Sequence, residues 1–161
     1  MATLVGSLIA AIGAKMTASF PTYSVIYGLP APGGAYVETV DTVRVHFMQE
    51  SSKPQGNQLM SPDVVSPIIA VTVSRSLTTD PSLLASSQAI VDMLADLRVA
   101  VVNMVMDHTT GTAPISGFSG AGLWITDYTM TPSTIAGIGN ASREAATAEF
   151  SFRFHRAFGG R

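Results

Sequence analysis

The alternation of apolar and polar residues divides the chain into seven candidate elements. Near the N-terminus, Leu4, Val5, Leu8, Ile9 and Ile12 fall on one stripe of a helix, with small Gly6, Ser7, Ala10, Ala11 and Gly13 between them. This predicts an amphipathic helix over Leu4 to Ala14. No basic residue precedes the stripe, so it is read as a retained helix rather than a secretory leader, with a cytoplasm as the expected setting. Thr22 to Gly28 reads as a short strand closed by the turn-forming run Leu29-Pro30-Ala31-Pro32-Gly33-Gly34. In Glu38 to Met48, Val43, Val45 and Phe47 share one face and Arg44, His46 and Met48 the other, the period of a half-buried strand. Pro67 to Ser74 sets Ile69, Val71 and Val73 against Ile68, Ala70, Thr72 and Ser74, and its mixed second face predicts burial on both sides.

The clearest helix starts at Asp80-Pro81, an acidic cap followed by proline in the first turn, and runs to about Asp107. Leu83, Ser87, Ile90, Leu94, Leu97, Val101 and Met104 keep a three-four spacing, flanked by Leu84, Val91, Val102 and Val105, while Gln88, Asp92 and Asp96 mark a wet side. After Arg98 the run Val99 to Met106 is apolar almost all round. Such a helix end has to be covered on every side, by the sheet or by another chain. Leu123 to Met130 alternates again. In the last strand Ala148, Phe150, Phe152 and Phe154 face one way and Glu149, Ser151, Arg153 and His155 the other, the strongest periodic signal present.

Two polar stretches separate strands, Gln49 to Ser66 and Thr131 to Glu144, and both read as long connections. The first reads either as a floppy hairpin tip or as a segment that orders against a neighbouring subunit. No fixed-period repeat and no linker is visible, so residues 1–161 read as a single domain. Its element order is helix, three strands, long helix, two strands. That order predicts an α+β fold: an antiparallel or mixed β-sheet with a short N-terminal helix and one long helix packed on one face.

Composition narrows the functional classes. Hydrophobic residues make up 47% of the 161 residues and charged residues 12%, about half of the ~25% usual in soluble domains. Nine basic and eleven acidic residues give a net charge of −2, so no overall field favours nucleic acid or anionic lipid. No apolar run approaches the ~20 residues that span a bilayer, and no membrane partner is expected. The absence of cysteine excludes disulfides, thiol catalysis and thiolate zinc sites.

Residues that would converge on a chemical site are mostly lacking in the sequence. None of His46, His108 and His155 has a second ligand at helical spacing, so neither a metal nor a cofactor is expected. His108, at a helix C-terminus, is suited to meet the last carbonyls. Gly117-Phe118-Ser119-Gly120-Ala121 resembles a nucleophile elbow, which would make Ser119, with His108 or His155, a serine hydrolase centre. The flanking pattern is loop then strand, however, and not the strand then helix that an elbow requires. A ligand-binding face around Arg44, His46 and Trp124 is a further alternative, although Trp124 itself suits a core or interface anchor. Four of the nine basic residues, Arg143, Arg153, Arg156 and Arg161, lie in the last nineteen positions. A cluster of this size reads as a solvated face; otherwise Arg153 and Arg156 are suited to pair with carboxylates of another subunit, or to line a channel that DNA crosses without its bases being read.

The element order, ending in Ala148-Glu149-Phe150-Ser151-Phe152-Arg153-Phe154-His155-Arg156, resembles that of the tail terminator proteins of long-tailed bacteriophages. The resemblance spans the whole chain and rests on pattern and length. It implies a non-enzymatic virion protein, assembled in the host cytoplasm and placed at the head-tail junction. Its subunits would form a homo-oligomeric, hexameric ring that caps the tail tube protein, ends its polymerisation and meets a head-side connector or neck protein. DNA would pass through the lumen. Head-closure or neck ring subunits share parts of the pattern, and a tail-tube subunit is a weaker alternative. On this reading the interface residues are Val99, Val102, Met106, Lys53, Arg153, His155 and Arg156.

Overall fold

The computed structural model describes residues 3–28, 40–54, 63–76, 83–118, 122–135 and 143–156. The first helix, α1 (Leu4–Ser19), is capped by Thr3, whose hydroxyl accepts the Gly6 N–H at 3.0 Å. It runs five residues beyond the sequence expectation. Met16, one turn after Ile12, is fully buried and extends the apolar stripe into the last turn. Leu8 and Ile12 are also fully buried, and Leu4, Val5 and Ile9 pack on the rim of the same core.

Five strands follow in one sheet: β1 (Ser24–Tyr27), β2 (Thr42–Pro54), β3 (Asp63–Ser76), β4 (Leu123–Ile135) and β5 (Arg143–Arg156). The second helix, α2 (Leu83–Thr109), lies between β3 and β4 in the chain. The sheet order is β1-β2-β3-β5-β4, with β1 parallel to β2 and every other pair antiparallel. The fold is α+β with a mixed sheet, as the element order predicts.

The cross-strand register explains which residues are buried. Val43, Val45, Val65, Ile69, Val71, Val73, Ala146, Ala148, Phe150, Phe152, Phe154 and Leu123 share one face and are buried under α1 and α2. From α2, the residues Leu94, Leu97, Val101 and Met104 enter the same cluster. Phe118, after α2, closes one end, with its ring edge-on to Phe154 at 5.0 Å. The alternation of the last strand is thus realised residue by residue.

Both expected loops are shorter than the polar sequence suggests. Within Gln49 to Ser66, β2 continues to Pro54 and β3 begins at Asp63, pairing as Pro54↔Asp63 at the far end. Within Thr131 to Glu144, β4 continues to Ile135 and pairs with Arg143. Ladder hydrogen bonds to a neighbouring strand hold these polar residues extended, so local hydrophobicity does not decide their state. Two bulges, at Phe47/Gln49 and Ile125/Asp127, adjust the register at matching heights on β2 and β4. The Asp80-Pro81 start, the Leu29 to Gly34 turn and Ser119 to Ala121 lie outside the described residues.

Candidate subunit interface

The helices cover one face of the sheet, and two surfaces are left open. The first lies on α2. Its buried residues Met93, Leu94, Leu97, Ala100, Val101, Met104 and Val105 form one arc, and beside that arc runs a second apolar stripe: Val91, Ala95, Val99, Val102 and Met106. The spacing i, i+4, i+8, i+11, i+15 keeps all five on one flank of the helix. Val91, Val99 and Met106 are 56%, 50% and 57% exposed, and Val102 is half-buried. The chain itself therefore covers only part of the apolar end of α2. Along the outer border of the stripe sit Asp92 and Asp96, one turn apart.

The flank overhangs β4, a thirteen-residue strand at the edge of the sheet. Arg98 joins the two elements. Its Nη1 donates to the Tyr128 hydroxyl at 3.0 Å, and its guanidinium lies over the Tyr128 ring at 5.3 Å. Tyr128 and Met130 on β4 are themselves exposed, so the apolar flank continues onto the edge strand. The bulge at Ile125/Asp127 interrupts that edge beside Tyr128, a device that discourages indiscriminate strand pairing.

The second open surface is the face of the sheet away from the helices. Register places its residues in rows across the strands: His46, Ala70, Glu149 and Thr129; Gln49, Ile68, Ser151 and Asp127; Ser51, Ser66, Arg153 and Trp124; Lys53, Val64 and His155. Toward the opposite end, Thr42 and Ser74 are buried, and Thr72 and Thr147 join their hydroxyls at 2.9 Å. The Lys53 end is open. Lys53, Arg153 and Trp124 are exposed, and His155 meets the Trp124 ring edge-on at 5.8 Å, its Nδ1 enclosed without a partner. No carboxylate stands in the last two rows. In the adjoining row Asp127 accepts the N–H of Tyr128 at 2.8 Å.

His46 lies nearer the middle of this face, and its pKa is lowered. Burial is the main cause and the neighbouring Arg44 adds to it, while Glu149 in the same row opposes them. The Arg44 guanidinium donates to the Gly28 carbonyl at 3.1 Å, tying β2 to the end of β1.

The sequence-predicted interface residues thus fall into three groups. Val99, Val102 and Met106 lie together on the α2 flank. Lys53, Arg153 and His155 converge on the open end of the sheet. Arg156 belongs with neither, because it points to the helix side of the sheet. There its guanidinium contacts Glu50 at 3.5 Å and Asp63 at 3.3 Å, with the Ser52 hydroxyl at 3.5 Å. It pins the paired ends of β2, β3 and β5. Sequence reasoning did not single out Ala95, Tyr128 and Met130, which extend the exposed apolar flank. The signal for Ala95 was present in the second stripe along α2; Tyr128 and Met130 become visible only once β4 is known to be an edge.

His108 also departs from expectation. Its Nδ1 accepts the N–H of Ile115 at 3.0 Å and its ring packs edge-on to Phe118 at 5.8 Å, so it latches the loop after α2 instead of meeting the last helical carbonyls. A groove of about 670 Å³ lies between that loop, α1 and the end of α2. It is lined by Ala10, Ala14, Ala18, Met104 and Ile115, and it holds the Lys15–Asp107 pair at 3.4 Å. Among the described residues, no group of three or more histidines and carboxylates is placed to hold a metal, and no helix is long and apolar enough to cross a membrane.

No protein-family model matches the chain, and no curated protein matches it. A solved structure is similar over 94% of this chain and 92% of its own length, at 12% identity and a TM-score of 0.45. A likeness of that size carries no argument about fold or function.

Proposed function

We propose that the protein is a self-assembling structural subunit of the tail-terminator type. It forms a closed ring that caps a tail tube, ends tube polymerisation and presents its other surface to a head-side connector, with DNA passing through the lumen. The observation that carries the reading is the uncovered apolar flank of α2 beside the edge strand β4. Exposed apolar patches of this kind mark association surfaces. Covering the half-exposed Val91, Val99, Met106, Tyr128 and Met130 is worth on the order of 4–7 kcal/mol, from about 1.5–3 kcal/mol for full burial of a large side chain. That is comparable with the ~4–15 kcal/mol that association costs. One such contact is therefore marginal. A closed ring gives every subunit two, which favours the ring over an open pair.

The test is to add the purified protein to tail-tube subunits during polymerisation and to measure tube length by electron microscopy. Short tubes carrying a ring at one end are the expected result. Tubes of unchanged length without rings contradict the proposal, and binding to the head-side connector without any binding to tubes reassigns the protein to the neck.

A further inference from the structure

We infer that the open, basic end of the sheet is the seat for α2 of a second copy of this chain, so that the subunits join head to tail. This rests on the ring reading above and names the two surfaces that meet.

Three features of the molecule support the match. The first is charge. Lys53 and Arg153 are exposed and have no partner among the described residues, with His155 beside them and no carboxylate in their two rows. On α2, Asp92 and Asp96 are exposed along the border of the apolar stripe, and among the described residues Asp92 is engaged only by Gln88, at 3.1 Å. Among the described residues, therefore, these basic residues lack an acidic partner and these acidic residues lack a basic one.

The second is spacing. Arg153 and His155 stand two residues apart on β5, about 7 Å. Asp92 and Asp96 stand one helical turn apart, about 6 Å. A helix laid on the sheet brings the two pairs opposite one another without distortion.

The third is shape. Val64 and Ile68, half-buried along the central strand β3, and exposed Trp124 offer an apolar floor for Val99 and Met106. A helix on that face repeats the packing that already covers the other face. The groove beside α1 suits the ridge less well, because its charges, Lys15 and Asp107, already satisfy each other. Since seat and ridge are different surfaces of one chain, the contact is heterologous and propagates until a ring closes.

Charge reversal tests the pairing, with sedimentation velocity as the readout, in the absence and presence of tail tubes. Reversing the seat (Lys53→Glu with Arg153→Glu) or the ridge (Asp92→Lys with Asp96→Lys) is expected to shift the assembly midpoint to at least tenfold higher concentration. Carrying all four substitutions in one chain is expected to bring it back to within about threefold of the wild type, since every interface then holds the swapped pair. Far-UV circular dichroism checks that each variant is folded.

If the wild type assembles and the reversed variants assemble equally well, or if the fourfold variant is not rescued, the seat is wrong and the ring reading stands. If the seat variant keeps the wild-type mass but loses binding to a short DNA duplex, the basic end serves phosphates and the inference fails. A wild type that is monomeric with and without tubes overturns both.

Discussion

His46 illustrates how one side chain couples the open face to stability. Its folded pKa lies below the ordinary imidazole value of 6.5 because burial and Arg44 disfavour the charged ring. The unfolded chain therefore takes up a proton that the folded chain refuses. The His46 contribution is present above the unfolded value and is lost as pH falls through the folded one. Unfolding midpoints measured between about pH 7.5 and pH 5 should fall with acidification, and His46→Gln should flatten that slope. Trp124 is the single tryptophan of the chain, and its ring lies directly over Gly122. A Cβ at position 122 would overlap that ring, which sits at the end of a side chain free to swing outward. Gly122→Ala should therefore shift tryptophan emission to the red while changing stability by less than about 1 kcal/mol. Unchanged emission would show that the ring does not rest on Gly122.

Among the elements, α2 has a buried arc and an adjacent exposed flank; if the flank is the proposed subunit contact, substitutions should separate the two. Leu97 is fully buried in the core arc, so Leu97→Ala should cost about 2–5 kcal/mol in chemical denaturation. Val99, two residues on, is half exposed on the flank. Val99→Asp should cost the monomer only about 1 kcal/mol, the worth of its half-buried side chain, and yet prevent assembly, as read by sedimentation. Equal effects of the two substitutions on denaturation would contradict the assignment of the arcs.

The same elements show what can be read in a sequence. The phenylalanine alternation of β5 and the three-four spacing of α2 were legible, because burial on one face imposes a period on the chain itself. The outer halves of β2 and β4 were not. Gln49 to Pro54 and Thr131 to Ile135 are polar, and they are strands because neighbours at Asp63 to Ile68 and Arg143 to Thr147 supply ladder partners distant in sequence. Arg156 shows the same limit for a site. Its basic character was evident, but its position on the helix side, against Glu50 and Asp63, depends on register across three strands.

The molecule as a whole is asymmetric. Helices cover one face of the sheet, an apolar flank overhangs one edge, and the basic end of the opposite face is open. Such a subunit has two unlike surfaces to offer, and unlike surfaces repeat around an axis. Its low charge and high apolar content suit a protein whose exposed patches are meant to be covered. The central claim is self-assembly into a closed ring. The most direct test is the mass of the purified protein by light scattering over at least a tenfold range of concentration, alone and with tail tubes. A closed ring gives one discrete multiple of the 16.8 kDa chain, alone or on the tubes, with no continuous growth as concentration rises. A persistent monomer indifferent to tubes would contradict it.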